Sequence, residues 1–247
     1  MASFPPLKNY ILYCIDQMIK QYHLKSPFLD VGCGTGEASK HLAAMGWHGK
    51  AVDLSENAIG QAVQLLSLDP AVKVERMSFF DEHTQFSTIL AMDIVEHIDD
   101  DITAFKKIHS LLLPGGHLLV TVPSNPREWR WDDDFFGHFR RYTEEEMRQK
   151  MTQTGFSVLE IWDFTFPVFW LMRRLYTRLK PAPSHSSHDK MTRTKGSSLA
   201  RAWEIPLISD LLSKDNILWR ALYKWQFDRF RHQLTSGHEI IVLARKN

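Results

Sequence analysis

The amino-acid sequence predicts an α/β fold built on a doubly wound, mostly parallel sheet. Three observations carry that expectation. Short apolar runs alternate with helical periodicities five times before residue 123. The first run opens into a glycine turn at residues 32–36, and the second ends on an acid, Asp53. The chain has 247 residues, of which 44% are hydrophobic and 24% charged, enough for one large domain or a domain with an insertion. The net charge of +1 supplies no field for nucleic acid. Cys14 and Cys33 make no disulfide framework and have no zinc-ligand spacing. A reducing, cytoplasmic setting is therefore expected. Met1-Ala2-Ser3-Phe4-Pro5-Pro6 lacks a basic start before an apolar core, so no secretory signal is expected. No apolar run reaches the ~20 residues of a spanning helix.

Residues 7–22 place Leu7, Tyr10, Ile11, Cys14, Ile15, Met18 and Ile19 at helical spacing. Residues 28–32 read as a buried strand running into the glycine turn, and 37–45 as a helix ended near Gly46. Residues 50–53 form the second strand, and Ser55 caps a helix through Leu66. Residues 72–77 and 87–92 are further strands. A helix over about 100–112 stops at Pro114-Gly115-Gly116, before a fifth strand at 117–122. The alternation then breaks in a Trp- and Asp-rich loop, 124–142. Thr143 and Glu146 fit a capping box for a helix to about Thr154. Residues 156–164 and 239–244 are the last strands. The stretch between them is long for a connection and reads as a helical insertion, with a Pro/Ser/His-rich linker near 181–198. The division expected is a core domain of residues 1–164 plus 237–247, with 165–236 as an insertion or cap.

The sharpest chemical signal is Asp30-Val31-Gly32-Cys33-Gly34-Thr35-Gly36, followed by Ala51-Val52-Asp53-Leu54-Ser55. Glycines let a backbone turn tightly against a ligand, and the helix that follows offers free N–H groups. A carboxylate at the end of the second strand can accept both hydroxyls of a ribose. In a doubly wound sheet these groups converge at the carboxyl ends of the strands. A dinucleotide site would need Gly-x-Gly-x-x-Gly; here Gly36 comes one place early, and Glu37 would repel a pyrophosphate. The acid suits a ligand with a cationic end.

With those residues in view, the chain resembles the class I S-adenosylmethionine-dependent methyltransferases, over about residues 28–163 plus the last strand. The two glycine and acid segments look like the family's first and second motifs. Residues 92–98, Met-Asp-Ile-Val-Glu-His-Ile, look like its motif after the fourth strand, and Leu113-Pro114-Gly115-Gly116 like the turn before the fifth. The resemblance implies a Rossmann-like, seven-stranded sheet with an antiparallel last strand. It also implies S-adenosylmethionine as cofactor. Asp30, Gly32, Cys33, Gly34 and Gly36 would line its methionine end, Asp53 would hold its ribose, and Leu54 would touch the adenine. Ser78 stands where the family often has an acid, with Phe79 beside it to sandwich the ring and Asp81 as a second candidate. Met92 and Asp93 complete the cofactor set.

Methyl transfer to oxygen or nitrogen often needs a general base, which suits histidine. His97 follows the fourth strand. His138 lies in Gly137-His138-Phe139-Arg140-Arg141-Tyr142-Thr143, similar to a signature found in a subset of the family. His97 and His138 are the catalytic candidates, and Arg140, Arg141 and Tyr142 the acceptor candidates. The arginines and tyrosine have an alternative use, tying their loop to Asp132-Asp133-Asp134. Asp93, Glu96 and His97 resemble a set seen in quinone-biosynthesis O-methyltransferases and are possible ligands for a divalent metal.

Residues 173–201 carry eight basic side chains against one acid, Asp189, beside a run dense in Trp and Phe. Three uses stay open: a simple cap, peripheral membrane contact, or binding of an anionic acceptor. The function expected is O-methylation of a small-molecule or lipid-linked acceptor. The competing reading is a methyltransferase-like scaffold without turnover that serves a partner.

Overall fold

The computed structural model describes residues 5–180 and 217–247. Its sheet has seven strands in the order β3-β2-β1-β4-β5-β7-β6. These are β1 (Phe28–Val31), β2 (Gly49–Asp53), β3 (Val72–Arg76), β4 (Phe86–Met92), β5 (Leu112–Pro123), β6 (Phe156–Asp163) and β7 (Glu239–Lys246). The first five pair in parallel, and β7 runs antiparallel between β5 and β6. This is the doubly wound sheet the alternation predicts.

Alternation along the strands sorts their side chains to two faces, because successive residues point oppositely. Leu90, Leu119, Ile241 and Leu243 face one core. Their neighbours Ile89, Ala91, Leu118, Val120, Ile240 and Val242 face the other. The first core is closed by α1 (Pro5–Tyr22), α2 (Glu37–Ala44), α3 (Glu56–Leu65), α7 (Val168–Leu179) and α8 (Ile217–Phe230). The second is closed by α4 (Asp101–Ser110) and α6 (Glu144–Gln153). Ser55 accepts from the Ala58 amide, and Thr143 and Glu146 form a reciprocal capping box, so both helix starts lie where the sequence places them.

Two local expectations change. Pro114-Gly115-Gly116 does not precede β5 but bulges within it. Phe86 pairs with Leu112 while Thr88 pairs with His117, so the extra residues loop out at Gly115, where φ is +73°. The loop 124–142 contains a short helix, α5 (Trp131–Phe136), whose Asp132 and Asp133 are buried. The two described helices of 165–236 share the core of the main domain. Tyr10 of α1 stacks on Phe169 of α7 at 5.6 Å and on Tyr223 of α8 at 5.1 Å. The linker expected near 181–198, and most of the basic island, lie outside the described residues.

Candidate functional site

The carboxyl ends of β1, β2 and β4 open into one cavity of about 570 Å³. After Val31 the chain turns through Gly32 and Gly34, at φ +66° and +54°, a region that suits glycine. A Cβ on Gly32 would lie 2.0 Å from Ile94 Cδ1, so the turn and the loop after β4 close directly on each other. A Cβ on Gly34 would meet nothing within 4 Å, which leaves its backbone open to a ligand.

Asp53 ends β2 facing this turn. Its carboxylate accepts from the Gly34 amide at 3.0 Å and the Ser55 amide at 2.7 Å. Asp30 lies beneath the turn, where Ser39 Oγ donates to it at 2.6 Å. Burial pushes the Asp30 carboxyl up to about 6, against the Ser39 hydrogen bond. Leu54 is exposed at the rim. Ser78 caps a short 3₁₀ turn by accepting from the Phe80 amide, and it turns Phe79 and Phe80 toward the cavity, rings 4.3 Å apart.

The cavity brings together Asp30, Gly32, Cys33, Gly34, Asp53, Leu54, Ser78, Phe79, Met92, Asp93 and His97; Gly36 and Asp81 stand outside its wall. Sequence reasoning missed one whole wall, Lys8, Ile11, Leu12 and Ile15 of α1. Lys8 Nζ lies 2.6 Å from Glu37 Oε1, and Thr35 Oγ1 donates to the other oxygen at 2.6 Å. Burial alone would raise the Glu37 carboxyl, but Lys8 and Thr35 outweigh it and hold it below its usual value. The signal was present: Lys8 lies one turn before Ile11 and Leu12 on the same helix.

Asp93 has φ +54°, rare for a residue with a side chain, and is fixed there by Thr121. The Thr121 hydroxyl donates to Asp93 Oδ1 at 2.6 Å, and the Asp93 amide bonds the same hydroxyl oxygen at 3.0 Å. His97 lines the same cavity with Ile94, Ile98 and Phe139. Burial, helped by nearby His138, lowers the His97 imidazole to about 3, so the ring is neutral and carries a lone pair at physiological pH.

His138 lies behind His97, outside the cavity wall, with the two rings edge to face at 4.8 Å. Arg140 pairs with Asp101 at 2.8 Å. Arg141 is buried and donates to the Ser124 and His238 carbonyls. The buried Tyr142 hydroxyl donates to Asp101 at 2.9 Å. All three acceptor candidates therefore brace their own loop, and none of them lines the cavity. The metal expectation also changes membership. Among the described residues Glu96, His97 and His138 bring one donor atom each within 4.8 Å of one another, while Asp93 stays with Thr121. Both Glu96 oxygens are buried with no hydrogen-bond partner, and burial raises that carboxyl well above its usual value. An unpartnered carboxylate beside two imidazoles fits a divalent ion.

The model for a family described as a methyltransferase domain matches residues 15–161. The chain belongs to that family. Its members use S-adenosylmethionine. The ubiquinone biosynthesis O-methyltransferase of Marinobacter nauticus is 33% identical over 110 residues, 41% of this chain and 46% of that protein. The same enzyme of Paraburkholderia phytofirmans is 32% identical over 128 residues, 49% of this chain and 55% of that protein. The matched stretch thus spans about half the length of these curated relatives. The 1,6-didemethyltoxoflavin-N1-methyltransferase of Burkholderia thailandensis superposes with a TM-score of 0.57 at 15% identity, covering 99% of this chain and 80% of that one. At that identity the likeness is one of fold.

Proposed function

We propose that the protein transfers a methyl group from S-adenosylmethionine to a hydroxyl oxygen of a small, largely apolar acceptor, lipid-linked acceptors included. The observation that carries this reading is the single cavity joining the Gly32–Gly34 turn to His97. The residues present fit the cofactor. Asp53 offers a carboxylate for the ribose, Phe79 and Phe80 offer ring faces for adenine, and the Lys8–Glu37 pair complements a zwitterionic amino-acid end. When bound, the cofactor supplies a methyl group on a positively charged sulfur. The chain's own work is to orient the acceptor between Ile94, Ile98 and Phe139, to exclude water, and to take the hydroxyl proton on a ring nitrogen of His97. Lys8 is the one cation among the described residues lining the cavity, and Glu37 already pairs it, so an uncharged acceptor fits better than an anionic one. In place of that base, a divalent ion held by Glu96, His97 and His138 would supply a positive charge that favours an ionised hydroxyl.

Exposed Leu171, Leu175 and Leu179 run along α7 at one-turn intervals, beside Arg178 and Lys180. Such a stripe supports delivery of a lipid-linked acceptor from a membrane surface. No described helix is long and apolar enough to cross a membrane.

The test is calorimetric titration with S-adenosylmethionine and its demethylated product, with NAD as control. Binding of the first two that is lost in Asp53→Ala, followed by methylation of a catechol or quinol, is the expected result. A folded protein that binds neither ligand overturns the reading and leaves the scaffold alternative.

A further inference from the structure

We propose that Asp133, clamped by Arg141 and by Arg173 from α7, is a positioning residue that sets the tautomer of the His138 ring and so the placement of His97. The inference rests on the reading of His97 as the group facing the acceptor.

The Asp133 carboxylate is fully buried, and four donors fill it. Oδ1 takes His138 Nδ1 at 2.9 Å and Arg141 Nη2 at 2.8 Å. Oδ2 takes the Arg130 amide at 2.8 Å and Arg173 Nη2 at 2.9 Å. Arg173, itself buried, also grips Asp132 through two parallel bonds at 2.7 and 2.6 Å and donates to the Glu128 carbonyl at 3.0 Å. Arg141 Nη2 and Arg173 Nη2 thus bring a permanently charged donor to each oxygen, so the carboxylate acts as an acceptor on both sides. An ionised carboxylate only accepts hydrogen bonds, so Nδ1 of His138 must be the donating nitrogen. In the neutral ring Nε2 then keeps the lone pair.

Two further bonds tie this ring to the site. The His138 amide donates to the Asp133 carbonyl at 3.0 Å, and the Phe139 amide donates to the Glu96 carbonyl at 2.9 Å. His138 thus lies locked edge to face against His97, which lines the cavity. Holding α7 down does not need buried charge, because Phe169 and Tyr176 already pack there. Buried ion pairs are also poor sources of net stability compared with apolar packing. What the clamp supplies is a fixed direction for one carboxylate.

The test uses the full chain and reads the histidine rings directly. Long-range proton–nitrogen NMR spectra, assigned with His138→Gln, report which ring nitrogen of His138 carries hydrogen. The wild type is expected to show hydrogen on Nδ1. Asp133→Asn presents an amide in place of a pure acceptor and is expected to move it to Nε2 or mix the two forms. The turnover of catechol as probe acceptor should then fall about tenfold or more, with affinity for S-adenosylmethionine unchanged. If Asp133→Asn does not fold, Asp133→Asn with Arg173→Gln removes the stranded cation and is read the same way. A folded variant in which His138 keeps hydrogen on Nδ1 overturns the proposal, as does unchanged turnover. If the wild type fails to bind the cofactor, the functional reading falls and the NMR result alone decides this one.

Discussion

Two parts of the cavity wall, the glycine turn and the His97 loop, are held by different kinds of force. At the cofactor end, the turn, Asp53 and Ser55 lie within about twenty residues and are fixed by backbone geometry and amide hydrogen bonds. Around His97, proposed to face the acceptor, the backing comes from charges drawn from residues 128–141 and from α7, some forty positions further on. A site made by local turns tolerates the loss of one side chain. A site made by buried charges does not, because removing one partner strands the others.

That contrast orders the expected effects. Asp133→Ala leaves Arg141 and Arg173 facing each other, and should cost about 3–5 kcal/mol of stability in urea denaturation; a loss below about 1 kcal/mol would show that the clamp bears little. Gly32→Ala forces a side chain into left-handed backbone and into Ile94, and should cost roughly 2 kcal/mol or more and abolish cofactor binding. Asp53→Asn should leave the melting curve nearly unchanged while S-adenosylmethionine affinity drops about tenfold to a hundredfold, the worth of a charged hydrogen bond.

Asp30 gives a pH signature. Its carboxyl titrates near 6 because it is buried, so it is ionised above that pH and neutral below it. A cationic cofactor gains from the ionised form. Affinity for S-adenosylmethionine should therefore hold from pH 8 to 7 and fall as pH drops through 6. The product, which lacks the sulfonium charge, should fall less. Equal slopes in calorimetry would remove Asp30 from the cofactor's field. The smallest effect belongs to the surface: Leu175→Gln should change stability by less than about 0.5 kcal/mol yet weaken sedimentation with anionic vesicles.

The same contrast explains what the sequence made legible. The glycine turn, Asp53, the Ser55 cap and the Thr143–Glu146 box are short-range devices whose partners lie a few residues away, so spacing reveals them. His97 and His138 look like independent candidates in the sequence; only the fold brings their rings to 4.8 Å and sets one behind the other. Arg141 reads either as an acceptor residue or as a tie to Asp132-Asp133-Asp134, and the fold gives it Asp133; Arg173 reads as part of a basic island, because a sequence displays a cation without displaying its carboxylate. Lys8 and its apolar neighbours read as helix packing for a related reason: the cavity they wall is completed by strand ends that come much later in the chain. The bulge at Gly115 hid because the same residues end helices and interrupt strands.

The stacking of Tyr10 on Tyr223 joins the first helix to the last one before β7. On a ribosome, α1 emerges well before α8 but cannot dock fully until α8 has been made. The α1 wall of the cavity is then among the last parts to close, although its residues are made before the sheet it covers. Contacts between such distant positions slow folding, since the intervening chain must be ordered first. A chain released before α8 would carry an intact glycine turn and an open, unwalled cleft.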